Sequence, residues 1–323
     1  MTTLTHDAQS AALPASRAAA GLSFALVSAI SFGLSGALAR PLLEAGWSSG
    51  SVVLIRVGVA ALVVAPFGAY ALRGQWHLLR RNAGLVTLYG VLAVAGAQFC
   101  YFSAIQYMQV GPALLIEYTA PAAVVVWMWL RHHQRPGRLT LVGAAIAALG
   151  LALVLDLVSG ADLSVPGVLW ALAAMVGAAA YFVISADERN GLPPLALAAG
   201  GLVTGTAVLG LLGLVGLLPM RSTSDAVEYV GTSVSWWVPL LLLGVVTAAL
   251  SYTTGIAAGR RLGSRLASFV ALTEVVAGVL WAWLLLDELP RPVQLVGGAL
   301  ILVGVVAVKL GERSVARVEP VMT

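Results

Sequence analysis

GPALLIEYTAPAAVVVWMW, Gly111 to Trp129, is apolar enough to lie in lipid, yet within five residues it holds an acid at Glu117, a phenol at Tyr118 and a proline at Pro121. Proline removes a backbone donor and crowds the carbonyl four residues back, here that of Glu117 itself. Ionisable groups at membrane depth face a cavity or a partner, not lipid. The stretch reads as a spanning helix, broken at Pro121, with an apolar outside and a polar inside.

The rest of the chain agrees with that reading. Of its 323 residues 60% are hydrophobic and 10% charged, and the mean hydropathy is +0.95. Soluble domains carry about 25% charged residues, so this is an all-α integral membrane protein. The single cysteine, Cys100, excludes a disulfide framework and cysteine-rich metal sites. His6, His77, His132 and His133 lie in the tail or in connections with no HExxH spacing, so no metal site is expected. No Walker A sequence occurs, no GxGxxG follows a strand, and no Ser, His and Asp share a membrane depth. The residues therefore point away from an enzyme, and no cofactor is expected.

A span needs roughly 20 apolar residues. Ten segments meet that length approximately: 18–39, 49–72, 83–105, 111–130, 139–156, 165–186, 193–218, 237–258, 265–286 and 292–310. The amino-terminal run is too long, and lacks a small-residue cleavage site, to be a signal peptide. It reads as the first span, behind a tail of residues 1–17. Connections are short except Pro219 to Ser235, which could carry a surface helix. The basic residues alternate: fourteen of the 18 fall on one side, only Arg40, Arg221 and Arg291 on the other, and Arg56 lies within a span. By the positive-inside rule both termini are cytoplasmic. The net charge of +4 is thus a topology signal, and no nucleic-acid partner is expected.

Internal similarity sharpens the picture. Gly90 and Gly244, Trp129 and Trp283, Gly143 and Gly297, and Gly150 and Gly304 are each 154 residues apart. LVGAAIAALGLALV from Leu141 resembles LVGGALILVGVVAV from Leu295. The chain divides into two five-helix halves, residues 18–156 and 165–310, with a carboxy-terminal tail of 311–323. Five is odd, so the second half is inverted. Inverted repeats commonly build secondary transporters, with the substrate site near the midplane between them.

Three charges lie inside the spans. Arg56 and Glu117 each sit roughly 10 Å from a helix end and are expected to pair, either as a lock between helices or as part of a site. Glu274 has no arginine opposite it, since the seventh span reads AAGG from Ala198. It is either a proton-coupling group or a protonated acid bonded to a backbone carbonyl. Gln98, Tyr101, Tyr118, Trp170, Tyr181, Tyr252 and Thr253 are the candidate substrate-binding residues, drawn from both halves. Tyrosine offers a stacking face and a hydroxyl that needs a partner, although any one of these residues could equally serve helix packing.

EYTAP from Glu117 to Pro121, and WLLLDE from Trp283 to Glu288 after the ninth span, resemble the drug/metabolite transporter superfamily, EamA type. The resemblance runs from about Leu22 to Leu310 and in overall similarity is greatest to the YddG-type aromatic amino-acid exporters. It implies ten helices in two inverted repeats, multi-pass in the cell inner membrane. It further implies a central cavity and alternating-access export of amino acids, or alternatively of other small metabolites or drugs. The implied partners are the bilayer and a small-molecule substrate, with protons as the candidate coupling ion. Many members carry Glu-Pro in the ninth span; here Val275 follows Glu274.

Overall fold

The computed structural model describes residues 15–120, 137–154, 164–186, 190–255, 257–258, 261 and 270–316. Its helices are α1 (Ala15–Glu44), α2 (Ser49–Ala71), α3 (Trp76–Arg81), α4 (Ala83–Ala104), α5 (Val110–Glu117) and α6 (Arg138–Val154). After these come α7 (Val165–Ala186), α8 (Pro194–Leu214), α9 (Trp237–Gly255), α10 (Thr273–Leu286) and α11 (Pro292–Ala316). Among the described residues six helices, in α1, α2, α4, α7, α8 and α9, are long and apolar enough to cross a membrane. Arg138–Leu153, Thr273–Leu286 and Pro292–Val308 are shorter apolar helices.

The connection from Pro219 to Ser235 is not a surface helix. It holds an antiparallel hairpin, β1 (Val227–Tyr229) with β2 (Thr232–Val234). Gly231 supplies the positive φ of its turn, and β-branched Val and Thr favour the extended backbone on either side. Two bonds fasten it to the bundle: the Tyr229 hydroxyl donates to the Leu38 carbonyl at 2.9 Å, and the Val230 amide to that of Leu285 at 3.1 Å.

Glycines set the closest helix approaches. A Cβ on Gly143 would lie 2.7 Å from the Gly304 carbonyl oxygen, and one on Gly150 would lie 2.5 Å from that of Gly297. Gly143 and Gly150 are the repeat equivalents of Gly297 and Gly304, so each glycine of α6 meets the equivalent of the other on α11. Residue i touching j′ while j touches i′ is the mark of a twofold axis, and it makes α6 and α11 antiparallel. The main helix contacts obey the same exchange. α1 packs on α10 as α7 packs on α5, α4 packs on α7 and α8 as α9 packs on α1 and α2, and α2 pairs with its own equivalent α8.

The backbone repeats a finer irregularity. α4 is π-helical over Tyr89–Gly96 and α9 over Val245–Leu250, and a shift of 154 lays the second within the first. π segments shift the carbonyl register of a helix and occur often at functional sites. Gly33, Gly36 and Gly177 are also points of close contact. Gly33 abuts the α10 backbone at Glu274 and Gly278, Gly36 abuts Tyr101 and Val110, and Gly177 abuts Ala97.

At Gly304 a Cβ would meet backbone atoms of Gly143 and Ala147 at 2.6 Å, so the two helices must separate to admit one. Gly304→Ala is expected to lower stability by about 1–3 kcal/mol in thermal unfolding of the detergent-purified protein. Gly84→Ala, where a Cβ meets nothing within 4 Å, is expected to stay within about 0.5 kcal/mol. Equal effects at the two positions would contradict the packing account.

Candidate functional site

Arg56 on α2 is 1% exposed, and a charge so buried must be saturated with partners. It does not pair with Glu117: no acid lies within ion-pair distance of it among the described residues. Its Nη1 donates to Oε1 of Gln98 on α4, and its Nη2 donates to the Thr247 carbonyl at 2.9 Å. Its guanidinium carbon lies 5.1 Å from the ring centre of Phe102. Thr247 belongs to the π segment of α9, where the altered register leaves a carbonyl available to an outside donor. Equal height in two spans had suggested a partner for Arg56, but height does not fix the face of the helix that a residue occupies. Arg56 thus ties α2 and α4 of the first half to α9 of the second. Its Nε is buried without a partner among the described residues.

Glu274 is not alone. It stands in the first turn of α10, and the Tyr118 hydroxyl donates to its Oε2 at 2.6 Å, short enough for a charge-assisted bond. That bond crosses from one half to the other. Glu117 is the last residue of α5, and Tyr118 and Thr119 form a turn after it. Pro121 lies outside the described residues. Both acids lie at helix ends, and each is within electrostatic reach of Arg56.

Aromatic rings line the space between the halves. Phe32 of α1 meets Tyr252 of α9 edge-on at 5.2 Å, Tyr252 meets Tyr181 of α7 at 6.3 Å, and Tyr181 meets Tyr89 of α4 at 6.1 Å. Tyr101 is 3% exposed, and its hydroxyl has no hydrogen-bond partner among the described residues. Five expected residues, Gln98, Tyr101, Tyr118, Tyr181 and Tyr252, therefore gather around Arg56 and the two acids. Two do not. Trp170 stacks edge-on to Phe99 at 5.5 Å, some 16 Å along α7 from Tyr181 by helical rise. Thr253 turns its hydroxyl back to its own helix, at 2.8 Å from the Ala249 carbonyl. Phe32, Tyr89 and the Thr247 carbonyl were not anticipated, although the ring at position 89 lies within a span and was open to the same reasoning as Tyr101.

An ion-pair cluster ties one end of the bundle together. Pro41, within the last turns of α1 and just beyond Arg40, leaves the helix without one backbone donor, while its own carbonyl still accepts from the Ala45 amide at 2.9 Å. Arg40 Nε pairs with Glu44 at 2.9 Å and its Nη1 with Glu288 at 3.0 Å. Nη1 also donates to the Met108 carbonyl at 2.9 Å. The Val110 amide, which opens α5, donates to Glu288 at 3.2 Å. Asp287 at φ 55 ends α10 in a left-handed cap, a conformation that Asp tolerates better than most residues, and this turns Glu288 back toward α5. Burial pushes the Glu288 carboxyl above the ordinary range, with Arg40 and the Val110 amide opposing the shift.

A multi-pass membrane protein with its polar cluster at the junction of two related halves is the class these features define. The chain belongs to the EamA-like transporter family, whose model matches residues 19–156 and again residues 165–310. It is 21% identical over 203 residues to the uncharacterized membrane protein YMR253C of Saccharomyces cerevisiae, covering 63% of this chain and 41% of that one. The chain thus spans less than half of that relative's length. A solved crystal structure, 21% identical, covers 92% of this chain and 99% of its own with a TM-score of 0.59, a likeness of fold.

The arginine node is open to a double-mutant cycle on stability. Arg56→Gln and Gln98→Leu are expected to cost less together than the sum of their single effects, by about 1 kcal/mol or more. Arg56→Gln and Glu117→Gln, which share no direct bond, are expected to couple more weakly. Coupling to Glu117 with none to Gln98 would overturn the assignment.

Proposed function

We propose that the protein is a secondary transporter of ten spans that exports amino acids, aromatic ones favoured, across the cell inner membrane. Two inverted repeats, residues 18–156 and 165–310, alternate access to a central site, with both termini cytoplasmic and the Arg40 end facing outward. The observation that carries this reading is the Tyr118 to Glu274 bond, which joins the halves at the point where alternating access needs a contact that can break. The row of Tyr89, Tyr181, Tyr252 and Phe32 supplies faces for an aromatic solute. Arg56 and Glu117 supply opposite charges for the two ends of a zwitterion. The specificity of the YddG-type exporters belongs to this proposal.

Coupling follows from the same bond. Glu274 as a carboxylate accepts a charge-assisted bond from Tyr118; a proton on it reduces that bond to a weaker neutral one and loosens the halves. Glu274 is therefore the proposed proton site and Glu117 the fixed acid.

Flux of labelled amino acids into proteoliposomes tests the reading directly. Aromatic amino acids are expected to move fastest, and an imposed proton gradient to change the rate. Tyr118→Phe is expected to slow transport about tenfold or more, the equivalent of losing one charge-assisted bond, and Glu274→Gln to abolish the response to the gradient. If no amino acid moves in either condition, the reading falls.

A further inference from the structure

A cavity of about 430 Å³ opens at the Arg40 end of the bundle, away from the tyrosine cluster, and is lined by Arg40, Glu44, Trp47, Gln106, Tyr107 and Arg221 among others. That volume falls within the range of small-molecule sites. Its polar groups are unevenly satisfied. Ser48 holds the Arg221 backbone, donating its amide to the Arg221 carbonyl at 3.1 Å and accepting the Arg221 amide on its hydroxyl at 3.0 Å. The Arg221 guanidinium, by contrast, makes no hydrogen bond or ion pair among the described residues. Trp47 is 4% exposed, and its indole N–H is buried without a partner among the described residues. Gln106 spends its amide N–H on Ser49 at 2.9 Å, leaving its oxygen as an acceptor.

We infer that this cavity binds a small solute bearing a carboxylate on an apolar or aromatic body. Arg221 and the Trp47 N–H are the donors for the carboxylate, and Leu43, Ile105, Trp47 and Tyr107 are the walls for the body. A buried indole N–H without an acceptor is costly, and an anion beside it removes that cost. Arg40 is already met by Glu44 and Glu288, so the Arg221 guanidinium is the cation that the lining leaves without an acid among the described residues, which favours an anionic ligand over a cationic one.

The site is joined to the latch by Arg40, which lines the cavity and at the same time holds Glu288 at 3.0 Å. A carboxylate seated beside Arg40 competes with Glu288 for it. Occupancy therefore weakens the tie between α1 and the α10–α11 connection, so that solute in the vestibule favours opening. This site stands independently of which solute crosses the centre.

Isothermal titration of the purified full chain in detergent with phenylacetate and with its amide, phenylacetamide, tests the inference. Phenylacetate is expected to bind and the amide to bind about tenfold more weakly, the loss of one charge-assisted contact. Arg221→Gln is expected to weaken phenylacetate by a similar factor. Glu288→Gln is expected to tighten it, because Arg40 loses its rival, whereas a purely structural role for Glu288 predicts weaker binding or none. The inference is overturned if acid and amide bind alike, if Arg221→Gln binds as the wild type does, or if Glu288→Gln weakens binding. These outcomes are separate from amino-acid flux, so failure here leaves the transport proposal standing, and the reverse.

Discussion

Two helices that meet backbone to backbone at glycines define the geometry on which the molecule depends. Gly143 and Gly150 of α6 approach Gly304 and Gly297 of α11 so closely that no side chain fits between them. Helices in lipid gain little from hydrophobic exclusion and associate through such close packing of small residues. Because the two helices are repeat equivalents, their reciprocal contact fixes a twofold relation between the halves. The pairing of α1 with α10, the pairing of α7 with α5 and the matched π segments of α4 and α9 all obey that relation. The centre is consequently a junction between halves.

Onto this symmetric frame the sequence writes asymmetric chemistry. Arg56 has no counterpart in the second half, and it is held by Gln98 from its own half and the Thr247 carbonyl from the other. Glu274 has no acidic equivalent at Ala120, and it is held by Tyr118 across the junction. Each buried charge thus relies on the opposite half for a partner. Sliding one half against the other would break bonds at both charges at once.

Much of the frame was legible in the chain. The spacing of 154 between matched glycines gave the halves, and hydropathy gave the helices now described as α1, α2, α4 and α7 to α9. Partners at the centre were harder. Sequence depth gave the height of Arg56 and Glu117 but not their azimuth, so the expected pair is replaced by Gln98. The sequence offers Glu274 no arginine opposite it, and its partner Tyr118 comes within 2.6 Å of it only when α5 and α10, separated by more than 150 residues of chain, are docked. The long connection from Pro219 to Ser235 forms a hairpin and not the surface helix its length suggested, because Val227, Tyr229, Thr232 and Val234 favour extended backbone on either side of Gly231. The sequence places Glu288 just after an apolar run; its role in the latch depends on the left-handed turn at Asp287, which no pattern of apolar residues announces.

The central claim is that the two halves are equivalent and oppositely oriented, and the connections after their second helices test it most directly. Gln75 lies in that connection of the first half and Thr232 in that of the second, and both are exposed. In a Cys100→Ala background, Gln75→Cys and Thr232→Cys would be exposed in turn to a membrane-impermeant thiol reagent in intact cells and in inverted vesicles. The account predicts that each reacts from one side only and that the two sides are opposite, with Thr232→Cys reacting in intact cells. Labelling of both positions from the same side would contradict it.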